Sequence, residues 1–335
     1  MTTIPAAGSA EHTVSVVIPV YNGESTLPEL LADVSAWTTS GTTPDGHFFR
    51  VIEAILVFDN GRPGSAQVMR ELAAAYDFVR TVWLSRNFGQ HAATIAGMAS
   101  SGGDWILTID EDRQHDPAFL PGFLDAAMRE QTSLVYAQPI NRAPHSWFRN
   151  LTSRGAKWVL TRVLAGPRAF DYHSFRFVLG EVGRSVAAYA GSNVYLDVAL
   201  GWVAADPALV PVELREEGGR RSGYSTRRLL SHFWRMVLTS GTRGLRIVSA
   251  IGVGFATLGI AMTVWVLLSR LAGTDVPEGW ASTLIVILVS VGAILFSLGV
   301  IAEYLGVAVN MALGKPPYLI VTDPRSGPLG RTPRR

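Results

Sequence analysis

Cysteine is missing altogether from the 335 residues. A disulfide scaffold, a thiolate zinc site and a cysteine nucleophile are therefore excluded. An excess of one charge is missing too: 29 Lys and Arg stand against 27 Asp and Glu, a formal net charge of +2. So near a balance does not point to nucleic acid as a partner. There is no G-x-x-x-x-G-K-[ST] string for a P-loop, no G-x-G-x-x-G after the first predicted strand for a dinucleotide enzyme, and no G-x-S-x-G hydrolase elbow. Residues 1–12 are small and polar, without an apolar leader, so 1–13 is expected to be a loose tail. Finally, charge is absent from two long stretches, 247–269 and 280–302.

Each uncharged stretch is about the length needed to cross a bilayer as a helix. A short polar turn, 270–279, separates them and carries Asp275, Pro277 and Glu278. The expectation is a two-helix transmembrane hairpin over 247–308, followed by a tail over 309–335. Arg227, Arg228, Arg235, Arg243 and Arg246 precede the first span, and Lys315, Arg325, Arg331, Arg334 and Arg335 follow the second. The connecting turn has only Arg270. The positive-inside rule then places both termini and the N-terminal domain in the cytoplasm, on a cell membrane. Within 225–246, Leu229, Leu230, Phe233, Trp234, Val237 and Leu238 recur at helical spacing among arginines. That pattern suits an amphipathic juxtamembrane helix in the headgroup layer, or one packed on the soluble domain. Gly252, Ala256 and Gly259 permit close helix packing, within the hairpin or between copies in a homo-oligomer. The spans hold no internal ionisable residue, so the hairpin is expected to anchor without doing chemistry. A chain ending near Gly244 is then expected to keep its ligand site.

The first two-thirds reads as alternating strands and helices. Apolar, β-branched runs at 14–20 (VSVVIPV), 51–58, 79–84, 105–109 and 133–137 predict strands. Helical spacing predicts helices over 25–37, 65–76, 91–100, from 117, and over 193–203, while the Thr/Gly/Pro-rich stretch 38–47 predicts a loop. This order indicates an α/β domain over 14–224 built on a mostly parallel sheet. In such sheets ligands bind beyond the carboxyl ends of the strands. Polar clusters stand at four of those ends: Tyr21 to Glu24, Asp59 to Gly61, Ser85 to Asn87, and Asp110 to Asp112.

The acidic turn Asp110-Glu111-Asp112 follows an apolar strand. Two carboxylates one residue apart can hold a hard divalent cation whose shell is completed by substrate phosphate oxygens. D-x-D strings are also common on solvated surfaces; the position at a strand end is what favours the metal. Gln114 could add a neutral oxygen, whereas His115 reads as a helix-entry residue. Asp59-Asn60-Gly61 offers groups that can read a base edge, or a simple Asx turn. The run 85–90 (SRNFGQ) supplies Arg86 as a cation for phosphate and Gly89 for close approach, or is a helix-entry loop.

With these strings assembled, the chain resembles the family-two inverting glycosyltransferases of the GT-A (Rossmann-like) fold. More narrowly it is similar to the dolichol-phosphate mannose synthase and bactoprenol glucosyltransferase branch. The resemblance rests on VSVVIPVYNGE at 14–24, LSRNFGQHAATIAG at 84–97 and TIDEDRQHDP at 108–117. SWFRNLTSR at 146–154, SFR at 174–176, RSGYS at 221–225, and AEYLG at 302–306 before KPPYLIV add to it. It implies a nucleotide-sugar donor, UDP- or GDP-linked, and a polyprenyl-phosphate acceptor. It further implies Pro19, Tyr21 and Glu24 lining the nucleotide pocket, and Asp59 and Asn60 facing the base. Asp110, Asp112 and Gln114 would hold Mg2+ or Mn2+, and Arg176 and Arg221 would bind donor diphosphate or acceptor phosphate. Two positions depart from the branch pattern: Asn60 where many relatives have a second Asp, and Ser174 where many have Asp before Phe-Arg. A sub-branch carries Ser-Phe-Arg, and Asp197 resembles it too. Two other functions compete. A catalytically idle membrane scaffold would explain the two departures. A processive polysaccharide synthase is disfavoured because the Q-x-x-R-W string is lacking.

Overall fold

The computed structural model describes residues 11–141, 173–191, 194–204, 206–215 and 279–327, together with individual residues between 248 and 272. Strand β1 (His12–Val20) is almost wholly buried. Its side chains divide by the two-residue period of a strand: Val14, Val16, Ile18 and Val20 join one core cluster and Val17 the other. Helix α1 (Leu27–Ser35) buries Leu27, Leu30, Leu31 and Val34, one face at helical spacing, with Pro28 in its first turn. The short β2 (Gly41–Thr42) pairs antiparallel with β3 (Phe48–Phe58), inside the stretch expected to be a plain loop. Helix α2 (Pro63–Ala75), strand β4 (Val79–Leu84), helix α3 (Gln90–Ala99) and strand β5 (Trp105–Thr108) follow as read from the sequence, with ends shifted by at most three residues. A single 3-10 turn (Pro117–Phe119) leads into α4 (Leu120–Glu130), and strand β6 (Leu134–Pro139) comes next.

Besides β2, four elements were not anticipated: β7 (Arg176–Leu179), α5 (Gly180–Tyr189), β8 (Ala208–Val212) and β9 (Ile320–Val321). Helix α6 (Leu196–Val203) lies where a helix was expected. The sheet runs β8-β6-β7-β5-β1-β3-β4-β9, with β2 beside β3. The pairs β1–β3, β1–β5, β3–β4 and β6–β8 are parallel. Strand β7 is antiparallel to both β5 and β6. This reversal matters for the site. It brings the start of β7, rather than its end, to the edge where β1, β3, β4 and β5 finish. One core cluster lies under α1, α2 and α4, and the other under α3, α5 and α6. The domain is therefore a three-layer α/β sandwich.

Helix α7 (Trp280–Ala312) has 33 residues, a length of roughly 50 Å. Its segment Val289–Val309 is long and apolar enough to cross a membrane, with mean hydropathy 1.9. The helix continues past residue 302, where the second span was expected to end. In the first uncharged run, Gly252, Val253, Gly254, Thr257, Ile260, Ala261, Val264, Trp265 and Leu268 are helical. The amphipathic segment 225–246 and the string 146–154 lie outside the described residues. After α7 the chain is not a plain tail, because β9 pairs with β4.

Candidate active site

Parallel register sets the floor of the site. Val20 pairs with Phe58, and Phe58 with Trp83, so β1, β3 and β4 end together. The loops that follow are tied to one another by backbone and side-chain hydrogen bonds. Arg62 N–H donates to the Tyr21 carbonyl at 2.8 Å. At Gly61 a Cβ would lie 1.9 Å from that same carbonyl oxygen, so only glycine fits the approach. Asn60, just before it, takes a left-handed φ of 49°, which asparagine tolerates better than most residues.

Asp59 is buried. Its Oδ1 accepts Phe88 N–H at 2.7 Å and its Oδ2 accepts Gly89 N–H at 2.8 Å. Gly89 has φ +93°, a conformation that favours glycine. Burial pushes the Asp59 carboxyl above its ordinary pKa, against the two backbone bonds and Arg86. The carboxylate thus holds the 85–89 loop onto the end of β3. Arg86 is exposed and its guanidinium lies 4.1 Å from the Phe88 ring centroid.

The acidic turn divides its labour. Glu111 accepts the backbone N–H groups of Tyr21 and Asn22, each at 2.9 Å, and so joins the end of β5 to the end of β1. Burial raises its pKa, and Asp112 and Asp110 add to the rise. Asp110 is the focus of the site. Gln90 Nε2 donates to its Oδ1 at 2.6 Å, and Ser174 Oγ to its Oδ2 at 2.7 Å. Burial raises the Asp110 pKa, while Ser174, Arg176, His173 and Gln90 oppose the rise. Asp112 Oδ1 accepts Gln114 N–H at 3.0 Å, closing a tight turn in which Arg113 has φ 64°.

Two histidines line the wall beside Asp110. His115 is buried and its Nδ1 accepts the Asp110 backbone N–H at 3.0 Å. It stacks on Phe175 at 4.8 Å and lies 5.2 Å from the His173 ring. Burial pushes both His115 and His173 down to about 4, so both are neutral near pH 7. A helix-entry residue was the expectation for His115. It is instead part of the packing that sets the Asp110 backbone.

Arg176 opens β7, paired with Thr108 of β5 and Tyr136 of β6. It is 2% exposed. Its Nη1 lies 2.7 Å from Asp197 Oδ1, and Tyr136 Oη donates to the same carboxylate oxygen at 2.9 Å. Its Nε and Nη1 have no aligned hydrogen-bond acceptor. Arg176 is therefore held in a buried ion pair and does not stand open at the surface.

Pro19 sits one position before the end of β1, Tyr21 is 51% exposed at the strand's mouth, and Glu24 is exposed with its carboxylate against Gly64 at the start of α2. Gln114 is held in the loop, where its carbonyl accepts Arg215 N–H at 3.0 Å. Arg215 also bridges Asp33 and Asp116. Arg221 lies outside the described residues. So Asp59, Asp110, Asp112 and Arg176 converge on one sheet edge, and the Glu24 carboxylate turns to the start of α2. Gln90, Glu111, His173, Tyr136 and Asp197 complete the arrangement without having been assigned to it. Asp197 carried a signal as part of the sub-branch resemblance, and Glu111 and Gln90 stood inside strings that were singled out without a role of their own.

Residues 15–183 match the model of glycosyl transferase family 2. The chain belongs to that family. It is a glycosyltransferase, and its mostly parallel sheet with flanking helices is the GT-A architecture that the resemblance implied. The chain is 31% identical over 323 residues to an undecaprenyl-phosphate 4-deoxy-4-formamido-L-arabinose transferase of Pseudomonas paraeruginosa, covering 94% of this chain and 91% of that one. It is 30% identical over 312 residues to the transferase of the same name from Edwardsiella ictaluri, covering 92% and 93%. Among solved structures, mannosyl-3-phosphoglycerate synthase from Rubrobacter xylanophilus aligns with TM-score 0.47 and 14% identity, over 69% of this chain and 74% of that one.

Carboxylate oxygen is the donor type that a hard cation takes. Asp110 and Asp112 supply carboxylate oxygens. The two donors on Asp110 are neutral groups, so its negative charge is not consumed by a hydrogen-bonded cation. Among the described residues no group of three or more His, Asp or Glu gathers as a metal cluster. A divalent cation held by two carboxylates would keep water and substrate phosphate in its shell.

Proposed function

We propose that this glycosyltransferase moves a sugar from a UDP- or GDP-sugar to a polyprenyl phosphate, with inversion at the anomeric carbon. The observation that carries the reading is similarity over more than nine-tenths of the chain to transferases named for an undecaprenyl-phosphate acceptor. The sheet-edge geometry supports it. An acceptor phosphate oxygen attacks the anomeric carbon, the bond from that carbon to the diphosphate oxygen breaks, and the nucleoside diphosphate departs with the electron pair. The attacking phosphate is already ionised, so no side chain needs to remove a proton. Catalysis then rests on positioning and on charge.

Asp110 and Asp112, with Gln114, would hold Mg2+ or Mn2+. When bound, the ion offsets the negative charge that grows on the leaving diphosphate. Gln90 and Ser174 orient Asp110. Arg176, held in place by its pair with Asp197, opposes the negative charge of Asp110. Asp59 fixes the 85–89 loop, where Arg86 offers a cation to phosphate, and Tyr21 offers an exposed ring at the mouth of the nucleotide pocket. Arg221 is proposed as a phosphate ligand on its match to the branch motif alone. Helix α7, and the first uncharged run with it, would anchor the enzyme in a cell membrane as two spans, with the catalytic domain on the cytoplasmic face.

The test is mass spectrometry of membranes containing the full chain, incubated with undecaprenyl phosphate and a panel of UDP- and GDP-sugars. A nucleotide-linked 4-deoxy-4-formamido-L-arabinose belongs in the panel. A glycosyl-phosphoprenol from one donor supports the reading. No lipid product from any donor, alongside sugar transfer to a soluble acceptor, overturns it.

A further inference from the structure

The residues after α7 return to the catalytic domain beside the loop held by Asp59. Strand β9 lies antiparallel on β4, with Val321 opposite Trp83 and Ile320 opposite Leu84. The pairing continues past the strand, because Ser85 N–H donates to the Leu319 carbonyl at 2.9 Å. Ser85 opens the loop whose Phe88 and Gly89 amides bind Asp59 and whose Gln90 binds Asp110. The 85–90 loop is therefore hydrogen-bonded to the C-terminal segment at its start and to both acidic centres of the site at its end.

Asp323 locks the segment in place. It accepts Nε and Nη2 of Arg70, from α2, both at 2.6 Å, in a two-pronged pair. The Arg70 guanidinium also lies 4.6 Å from the Trp83 ring centroid, so it is set between that ring and the carboxylate. Asp323 accepts Arg325 N–H at 3.0 Å as well, and its carbonyl accepts Gly327 N–H at 2.7 Å. Both charged side chains are well covered, 22% and 15% exposed. A forked arginine–carboxylate pair fixes direction as well as distance.

Covering an edge strand is a common need, and two paired residues would serve it. The extension to Ser85 and the clasp on Arg70 go further. We infer that Asp323 and Arg70 are positioning residues for the donor site: the segment 316–327 clasps β4 so that the 85–90 loop stands ready for the nucleotide sugar. This rests on the proposed transferase reading. It also changes one expectation from the sequence. A chain ending near Gly244 lacks the clasp and is expected to bind donor weakly even where its domain folds.

The experiment uses the full chain in lipid, with Asp323→Asn, Arg70→Ala and the charge swap Arg70→Glu with Asp323→Arg. Each is read by donor KM, acceptor KM and kcat, and by amide exchange at Ser85, Phe88 and Gly89. The two single variants should raise donor KM about tenfold, with kcat and acceptor KM within about twofold, and should speed exchange at the three amides. The swap should recover a good part of both. Val321→Pro, which disrupts the strand without touching a charge, should reproduce the single variants. The clasp is wrong if the three amides keep wild-type protection in Asp323→Asn and Val321→Pro, or if they lose it while donor KM stays unchanged. A variant too unstable to assay is replaced by Asp323→Glu, which lengthens the arm of the pair: donor KM should rise by less than in Asp323→Asn, and an unchanged donor KM with faster exchange overturns the inference. If the wild-type enzyme makes no lipid product, the transferase reading falls alone. The exchange result still decides whether the segment orders the loop.

Discussion

Ser174 donates its hydroxyl to Asp110 Oδ2 at 2.7 Å, from the position where many members of the resembled branch carry aspartate. The serine is itself held, because its carbonyl accepts the Thr108 hydroxyl at 2.6 Å. A neutral donor here leaves Asp110 as the sole charge at that point and orients it. An aspartate could not donate unless protonated. The departure is therefore compatible with a working site and does not favour an idle scaffold.

Ser174→Ala should lower kcat/KM by about tenfold, near 1.4 kcal/mol, the scale of one hydrogen bond to a charged group. Ser174→Asp should cost more, since two carboxylates would then face each other across a hydrogen-bond distance. Steady-state kinetics on both variants checks this. Equal rates for Ser174→Ala and wild type would show that Gln90 suffices to orient Asp110.

Asp112→Ala should reduce activity by at least about a hundredfold, the magnitude of losing one key electrostatic stabiliser. Chelation with excess EDTA should abolish turnover, and Mg2+ or Mn2+ should restore it. Full activity in EDTA would sink the metal assignment.

Asp59 supplies a pH signature. Its folded-state pKa is raised by burial, so as pH falls it takes up a proton above the ordinary aspartate value of about 3.9. The protonated carboxyl can no longer accept both loop amides as an ion. Donor KM should therefore rise with acidification in that window. Fold stability should not follow through this group: a raised carboxyl pKa means the folded chain holds that proton more tightly than the unfolded one, so protonating Asp59 stabilises the fold. Asp59→Asn should show a raised donor KM that no longer varies there. Parallel donor titrations and thermal unfolding between about pH 4 and 7 separate the two effects. An unchanged acid limb in Asp59→Asn would remove Asp59 from the account.

The strands that carry the site were legible because each is a short β-branched run buried on both faces, ended by a polar turn. Their common edge followed from parallel order alone. The reversed strand β7 was not legible. Four residues, Arg176–Leu179, give little pattern, and their place between β5 and β6 is decided by tertiary pairing. For the same reason the resemblance could assign Arg176 to phosphate without showing that its guanidinium is buried against Asp197. Glu111 was hidden between two better candidates. A carboxylate that binds backbone amides 90 residues away leaves no local trace. The return of β9 was equally invisible, since Ile320–Val321 is too short to signal a strand.

The last prediction separates what Arg176 does for the fold from what it does for the reaction. Arg176 and Asp197 are each almost fully buried, and Tyr136 braces the acid. Asp197→Ala strands a buried guanidinium, which should destabilise the domain by about 3–5 kcal/mol. Tyr136→Phe removes one hydrogen bond and should cost about 1 kcal/mol. Replacing both charges, Arg176→Met with Asp197→Leu, fills the same volume with apolar groups. Such a replacement is often neutral or stabilising, so most of the lost stability should return. Activity should not return with it. The cation that opposes the negative charge of Asp110 is then gone, and kcat should remain at least about tenfold down. Thermal unfolding in detergent gives the first quantity and single-turnover rates at saturating donor give the second. If the double variant regains both stability and rate, Arg176 is a packing residue and its electrostatic role is refuted. If it regains stability only, the buried cation serves the chemistry.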